Sequence, residues 1–212
     1  MAGALLDPDY RQHRPSGYQI RRKAWAGNRA RFFPRPHRLA GKGSPRMRFT
    51  LYDRRAAVLY AHRWAYGRNP AFYDYENLGG DCTNFASQCI YAGSGVMNFT
   101  PTFGWYYIDA NQKAPAWTGV PYLYNFLTRE EQSPGPAARL CEMEELRPGD
   151  LIQLSFDGET FRHSPVVVSV GKPASAGNIL LAAHSYDADN RPLDTYEYRD
   201  IRFLKIRGVW RP

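Results

Sequence analysis

Gly79-Gly80-Asp81-Cys82-Thr83-Asn84-Phe85-Ala86-Ser87-Gln88-Cys89 is the stretch that most constrains this chain. Two glycines interrupt any regular element. After them Cys82, Phe85, Ala86, Cys89 and Ile90 keep one apolar face at helical spacing. The spacing predicts a helix over 81–92, with Gly93 as its C-terminal break. Cys82 then lies in the first turn, where unpaired backbone N–H groups and the positive end of the helix dipole favour a thiolate. The same N–H groups could hold the oxyanion of a tetrahedral intermediate. Gly79 and Gly80 either let a substrate backbone approach closely or serve only as the sharp turn into the helix.

The net charge of +8 suggests a polyanion partner until it is divided along the chain. Residues 1–50 hold 12 of the 28 Lys and Arg and 2 of the 20 Asp and Glu, so the remainder is slightly acidic. Basicity therefore belongs to the N-terminal segment. Pro and Gly interrupt residues 1–48 repeatedly, and no helical or strand period is sustained there. This arm is expected to be disordered, with Met47 as an alternative start, and the folded domain is expected over 49–212. No nucleic-acid partner is expected for that domain. The sequence has no apolar run long enough to span a bilayer and no secretory h-region, so a cytoplasmic location is expected. Three cysteines, Cys82, Cys89 and Cys141, do not make a disulfide framework.

Alanines and aromatics from Ala56 to Ala65 predict a first helix, capped by Asp53 and ended near Gly67. Nine aromatics between Phe99 and Phe126 are either core or the wall of a cleft for a peptide or sugar, with Trp105 and Trp117 the candidates for the cleft. After a Pro/Gly loop at 133–136, strands are expected from about 150 to 154, 163 to 170, 178 to 184 and 203 to 210. Helices first and an antiparallel meander second is an α+β order.

A thiol nucleophile needs a base. Of five histidines, His13 and His37 are in the arm, and His62 is expected to face solvent from the first helix. His163 opens a valine-rich strand and His184 ends the next. Antiparallel pairing would bring them together, His163 as base for Cys82 and His184 as its orienter, or both are ordinary polar residues at strand ends. Cys141, beside Glu142 and Glu144, and Cys89, on the apolar face, are weaker candidates. Zinc held by Cys82, His163 and His184 is disfavoured, because no close ligand pair such as CxxC is present. No metal and no cofactor are expected.

These residues match a known pattern. Asp81-Cys82-Thr83-x-Phe85, Leu146-x-Pro148-Gly149-Asp150-Leu151 and then His163 at a strand start resemble the papain-like cysteine peptidases of the NlpC type. The fuller string from Gly79 to Gln88 resembles the bacterial "putative amidase domain" family. Tyr60-Ala61, Asn69-Pro70, Ala116-Trp117-Thr118, His163-Ser164, Ala183-His184-Ser185 and Arg191-Pro192-Leu193 fit the same family. The resemblance covers about residues 50–210. It implies a papain-like fold with the nucleophile helix packed on an antiparallel sheet. It also implies Cys82 as nucleophile, His163 as base, and His184 as the third member with Asp187 as fallback. Gly80, Asp81, Trp105 and Trp117 are the candidate substrate-binding positions.

The implied activity is amide cleavage through a thioester, on a peptide or amide substrate that includes cell-wall stem peptides. An inactive peptide- or glycan-binding module of the same fold and an acyltransferase are the alternatives.

Overall fold

The computed structural model describes residues 46–212. The expectation of a disordered arm over 1–48 thus lies outside the described residues, save for its last three. Arg48 already belongs to strand β1 (Arg48–Thr50), so the folded pattern begins slightly before the expected boundary.

Helix α1 (Arg54–Trp64) starts where Asp53 accepts the backbone N–H of Ala56 at 2.9 Å, satisfying one of the orphan donors of the first turn. Helix α2 (Cys82–Ser94) runs through Gly93, which the sequence reading took as its stop. The break comes instead at Gly95, whose φ of 63° lies in the left-handed region. Gly93 serves packing. A Cβ there would lie 2.4 Å from the Tyr52 ring and 2.6 Å from the Asp53 carbonyl oxygen, so the missing side chain lets α2 meet the start of α1.

Every residue of α2 except Ala92 is buried. Its polar positions are tolerated because each finds a partner. Tyr60 OH donates to Gln88 Oε1 at 2.7 Å, Trp105 Nε1 to Ser87 Oγ at 3.0 Å, and Trp117 Nε1 to Asn84 Oδ1 at 2.8 Å. Both tryptophans are fully buried, with ring centroids 4.9 Å apart. They are core, and the expectation that they wall a substrate cleft is corrected. Pro115–Thr118 (α3) and Val120–Leu127 (α4) are the further helices among the described residues.

Among the described residues the sheet has eight strands. The others are β2 (Gly135–Cys141), β3 (Leu151–Ser155), β4 (Phe161–His163), β5 (Val166–Val170), β6 (Ile179–Ala183), β7 (Ala188–Pro192) and β8 (Asp200–Arg211). All pairings are antiparallel, in the order β1-β8-β3-β5-β6-β7, with β2 on β8 and β4 on β3. The architecture is α+β, as the order of helices and strands implied. The segment at 133–136 read as a loop instead feeds β2, whose Gly135 holds a φ of 114°.

Helices α1 and α2 pack on β6, α1 also on β5, and α4 on β2 and β4. A second apolar cluster gathers Leu146, Ile152, Leu154, Val167, Ile179, Leu181 and Leu193.

Asp150 of the Pro-Gly-Asp turn joins these parts. Its Oδ1 accepts Arg54 Nη1 at 2.7 Å and Ile206 N at 2.8 Å, and its Oδ2 accepts Arg147 N at 2.8 Å. Burial pushes its carboxyl above the usual range, although Arg54 opposes that. One carboxylate thus holds α1, the turn before β3, and β8 together. Replacing it leaves a half-buried guanidinium and two backbone donors without their acceptor. Asp150→Ala is therefore expected to lower unfolding free energy by about 3 kcal/mol or more, read as a fall in the urea midpoint at pH 7.

Candidate functional site

The site is assembled where the N-terminus of α2 meets the end of β4. Gly79 and Gly80 hold φ angles of 101° and 103°, a conformation that only glycine adopts without strain, and they turn the chain from a short 3₁₀ segment at 76–78 into α2. Asp81 is the N-cap residue and Cys82 the first helical residue. Phe85 N returns to the Asp81 carbonyl at 2.9 Å, which starts the helical ladder. The N–H groups of residues 82–84 precede that first bond and point out of the helix end.

The Cys82 sulfur lies 3.7 Å from Thr83 Oγ1 and 3.7 Å from the Arg162 carbonyl oxygen, and the backbone N–H of Ser164 is also directed at it. It therefore rests against the two backbone groups that bracket His163. In the β3–β4 ladder His163 stands opposite Leu154, so its side chain projects on the face of the second apolar cluster. Ring centroids place Tyr196 at 5.8 Å and Phe156 at 6.3 Å from the imidazole.

Ser164 is anchored from behind. Gln153 Nε2 donates to its Oγ at 3.1 Å and to Val120 O at 3.2 Å, while Gln153 Oε1 accepts Arg202 Nε at 2.8 Å.

Burial pushes the Cys82 thiol above its ordinary value, outweighing the Thr83 hydroxyl and the backbone N–H groups of Ser164 and Thr83 that favour the anion. The expected lowering by the helix terminus is thus corrected: desolvation of the sulfur wins. Burial, assisted by the nearby Arg191 cation, lowers His163 to about 4. Both shifts favour a neutral thiol beside a neutral imidazole at neutral pH over a thiolate–imidazolium ion pair.

His184 does not orient His163. Its Nδ1 lies 2.5 Å from Asp81 Oδ2 and its Nε2 donates to the Trp64 carbonyl at 2.8 Å, with the ring stacked on Phe85 at 4.0 Å between centroids. Both ring nitrogens are occupied, and the partner is the residue before Cys82. Asp81 is correspondingly a scaffold and not a substrate contact. Its Oδ1 accepts Tyr75 N at 2.9 Å and Asn84 Nδ2 at 2.8 Å, and the carboxylate is fully buried.

The turn between β6 and β7 places these groups. Its central residues Ser185 and Tyr186 hold φ angles of 56° and 77°, the twist that suits a tight hairpin. Ser185 Oγ accepts Asp81 N at 2.7 Å and donates to Glu76 at 2.9 Å. A Cβ on Gly80 would lie 3.1 Å from the same oxygen, so Gly80 fits this turn against the helix end. Asp187, the fallback third member, receives two hydrogen bonds from Arg68, at 2.9 and 3.0 Å. Arg68 also reaches Asp74 at 3.3 Å and Glu76 at 3.5 Å.

Sequence reasoning missed Arg68 as a neighbour of the site, and gave Ser185 and Arg191 no role beyond their fit to the family pattern. The signal available was the adjacency of His184, Ser185 and Asp187, which reads as a functional turn only once the hairpin is known. Cys89 is buried in the core, and Cys141 is pushed up to about 11 by burial and by Asp150 and Glu145.

Among the described residues no helix is long and apolar enough to cross a membrane. A family model described as "Putative amidase domain" matches residues 51–207, which include Cys82, His163 and His184. The uncharacterized protein YhbB of Bacillus subtilis (strain 168) is 36% identical over 144 residues, 66% of this chain. That alignment is 43% of YhbB, so the chain spans less than half the length of this relative. No solved structure matches. With the family model running from the residue after β1 to the bulged edge of β8, the chain belongs to the "Putative amidase domain" family.

Proposed function

We propose that the protein is a cysteine-dependent amidase or peptidase of the papain-like, NlpC-type plan. The observation that supports it is the seat of the Cys82 sulfur, at the first position of a buried helix and against the backbone groups on either side of His163. Family membership supplies the reaction class, cleavage of an amide.

His163, neutral at rest, takes the thiol proton as sulfur attacks the amide carbonyl carbon. The developing oxyanion is held by the Cys82 N–H at the helix end. The imidazolium then gives its proton to the amine nitrogen. The C–N bond breaks and the acyl group stays on sulfur as a thioester. Water, deprotonated by His163, attacks that carbon and releases a carboxylic acid and the free thiol.

The substrate is a peptide or peptide-like amide, with cell-wall stem peptides as one class to test. The glycan-binding alternative relied on the aromatic stretch, and its two tryptophans are core. In this scheme His184 is a positioning residue that fixes the nucleophile helix through Asp81.

Cys82→Ala is expected to lower kcat/KM on small peptides or muropeptides by about 10⁴-fold or more, with the protein still folded by circular dichroism. Equal activity in the variant discards the scheme.

The neutral resting pair has its own signature. Alkylation of Cys82 by iodoacetamide in the empty enzyme should climb with pH and reach half its maximum above the ordinary thiol value of about 8.5. A fast plateau from pH 5 to 8 would mean a preformed ion pair instead. Hydrolysis should lose its base only as pH falls toward His163's value of about 4, where the imidazole protonates.

His184→Asn separates the two roles open to His184. Acting through Asp81, it should slow Cys82 alkylation while the His163 titration, followed by NMR, stays near pH 4. A moved His163 titration would restore the orienting role.

A further inference from the structure

Arg191 is the neighbour of the site that the amidase scheme does not use. It lies on β7, with its guanidinium carbon 3.9 Å over the Tyr196 ring, and that ring's centroid is 5.8 Å from His163. Arg191 Nε donates to Thr195 Oγ1 and Nη2 to Thr195 O, both at 2.8 Å. Stacking and two hydrogen bonds fix the plane of the guanidinium before any ligand arrives, which reduces the ordering cost of binding.

Its charge is uncompensated. Arg54, Arg68, Arg139 and Arg162 each pair with a carboxylate, whereas Arg191 pairs with none among the described residues. A fixed cation beside the candidate base works against catalysis in the empty enzyme, because it opposes formation of the imidazolium. That cost disappears if the ligand carries an anion. A planar, preoriented guanidinium is matched by a carboxylate, which it can grip with two parallel hydrogen bonds.

We propose that Arg191 is a substrate-binding residue that takes a carboxylate on the substrate, so that the preferred substrate is an acylated amino acid or peptide with a free acid group near the scissile amide. This rests on Cys82 and His163 being the reacting pair. The bound carboxylate also neutralises the charge facing His163, so the base becomes stronger when the correct substrate is in place. An amide of the same size leaves Arg191 bare and the base weak. Selectivity is then exerted through the proton transfer as well as through binding.

The test uses the full chain carrying Cys82→Ala, titrated with N-acetylglycine and with N-acetylglycinamide, following the His163 ring signals by NMR. The carboxylate probe should bind about tenfold more tightly than the amide, the size of one charge-assisted contact, and should raise the pH at which His163 titrates. Arg191→Gln in the same background should remove the preference and Arg191→Lys should retain part of it. Equal affinity for the two probes, including no binding of either, overturns the proposal. So does a preference that survives in Arg191→Gln. Labelling of wild-type Cys82 by iodoacetamide, which carries no charge, is read alongside. A reactive Cys82 with no carboxylate preference removes only the role of Arg191, while an inert Cys82 removes the amidase reading itself.

Discussion

The Asp81 carboxylate is the interaction on which the site depends. It is completely removed from water, yet each oxygen is satisfied: Oδ1 by Tyr75 N and Asn84 Nδ2, Oδ2 by His184 Nδ1. These donors come from the loop before the helix, the helix itself and the end of β6. A buried carboxylate with so complete a set of partners is costly to disturb, since loss of any one leaves charge in a low-dielectric interior. The residue that follows it in the chain is Cys82. Rigidity of the thiol thus derives from its neighbour, and the hairpin turn at 184–187 holds that neighbour by its side chain through His184 and by its backbone N–H through Ser185.

The electrostatics of Cys82 follow from the same burial. A helix end stabilises an anion by about 1 kcal/mol in favourable cases, whereas full desolvation of a thiolate costs several times that. Cys82 is therefore held as a thiol, and the imidazole, buried between aromatic rings, is held neutral. In the proposed scheme this pair makes charge only when a substrate has displaced water.

Much of the frame was legible in the sequence, because local rules governed it. Asp53 caps α1, Gly79-Gly80 turn into α2, and Pro148-Gly149-Asp150 turn into β3, each from short-range chemistry. What escaped were features decided by tertiary contact. Gly93 reads as a stop but is a packing residue, because the Tyr52 ring would lie 2.4 Å from a Cβ placed there.

 Trp105 and Trp117 left a cleft open as a minority reading beside core, and the acceptors supplied by Ser87 and Asn84 of α2 decide for core. β2 was hidden because Gly135-Pro136 signals a turn, and its pairing with β8 is set more than sixty residues away. The partner of His184 was illegible for the same reason. Strand ends that adjoin in sequence order do not fix which way an imidazole faces, and Asp81 lies 103 residues from it.

The place of β8 has a consequence for how the chain reaches this state. β8 is the last strand in sequence, yet β2 runs along one of its edges while β3 and β1 share the other. Before residues 200–211 are available, those three strands lack their common partner, and their edges stay open to other chains. Contacts spanning so much of the sequence close slowly, because the loop entropy is lost before the pairing is gained. During synthesis α1 and α2 emerge before β8, so the sheet beneath them is completed after they are made. β8 thus joins β1, β2 and β3 after they are made, and a polypeptide lacking it would leave their edges exposed.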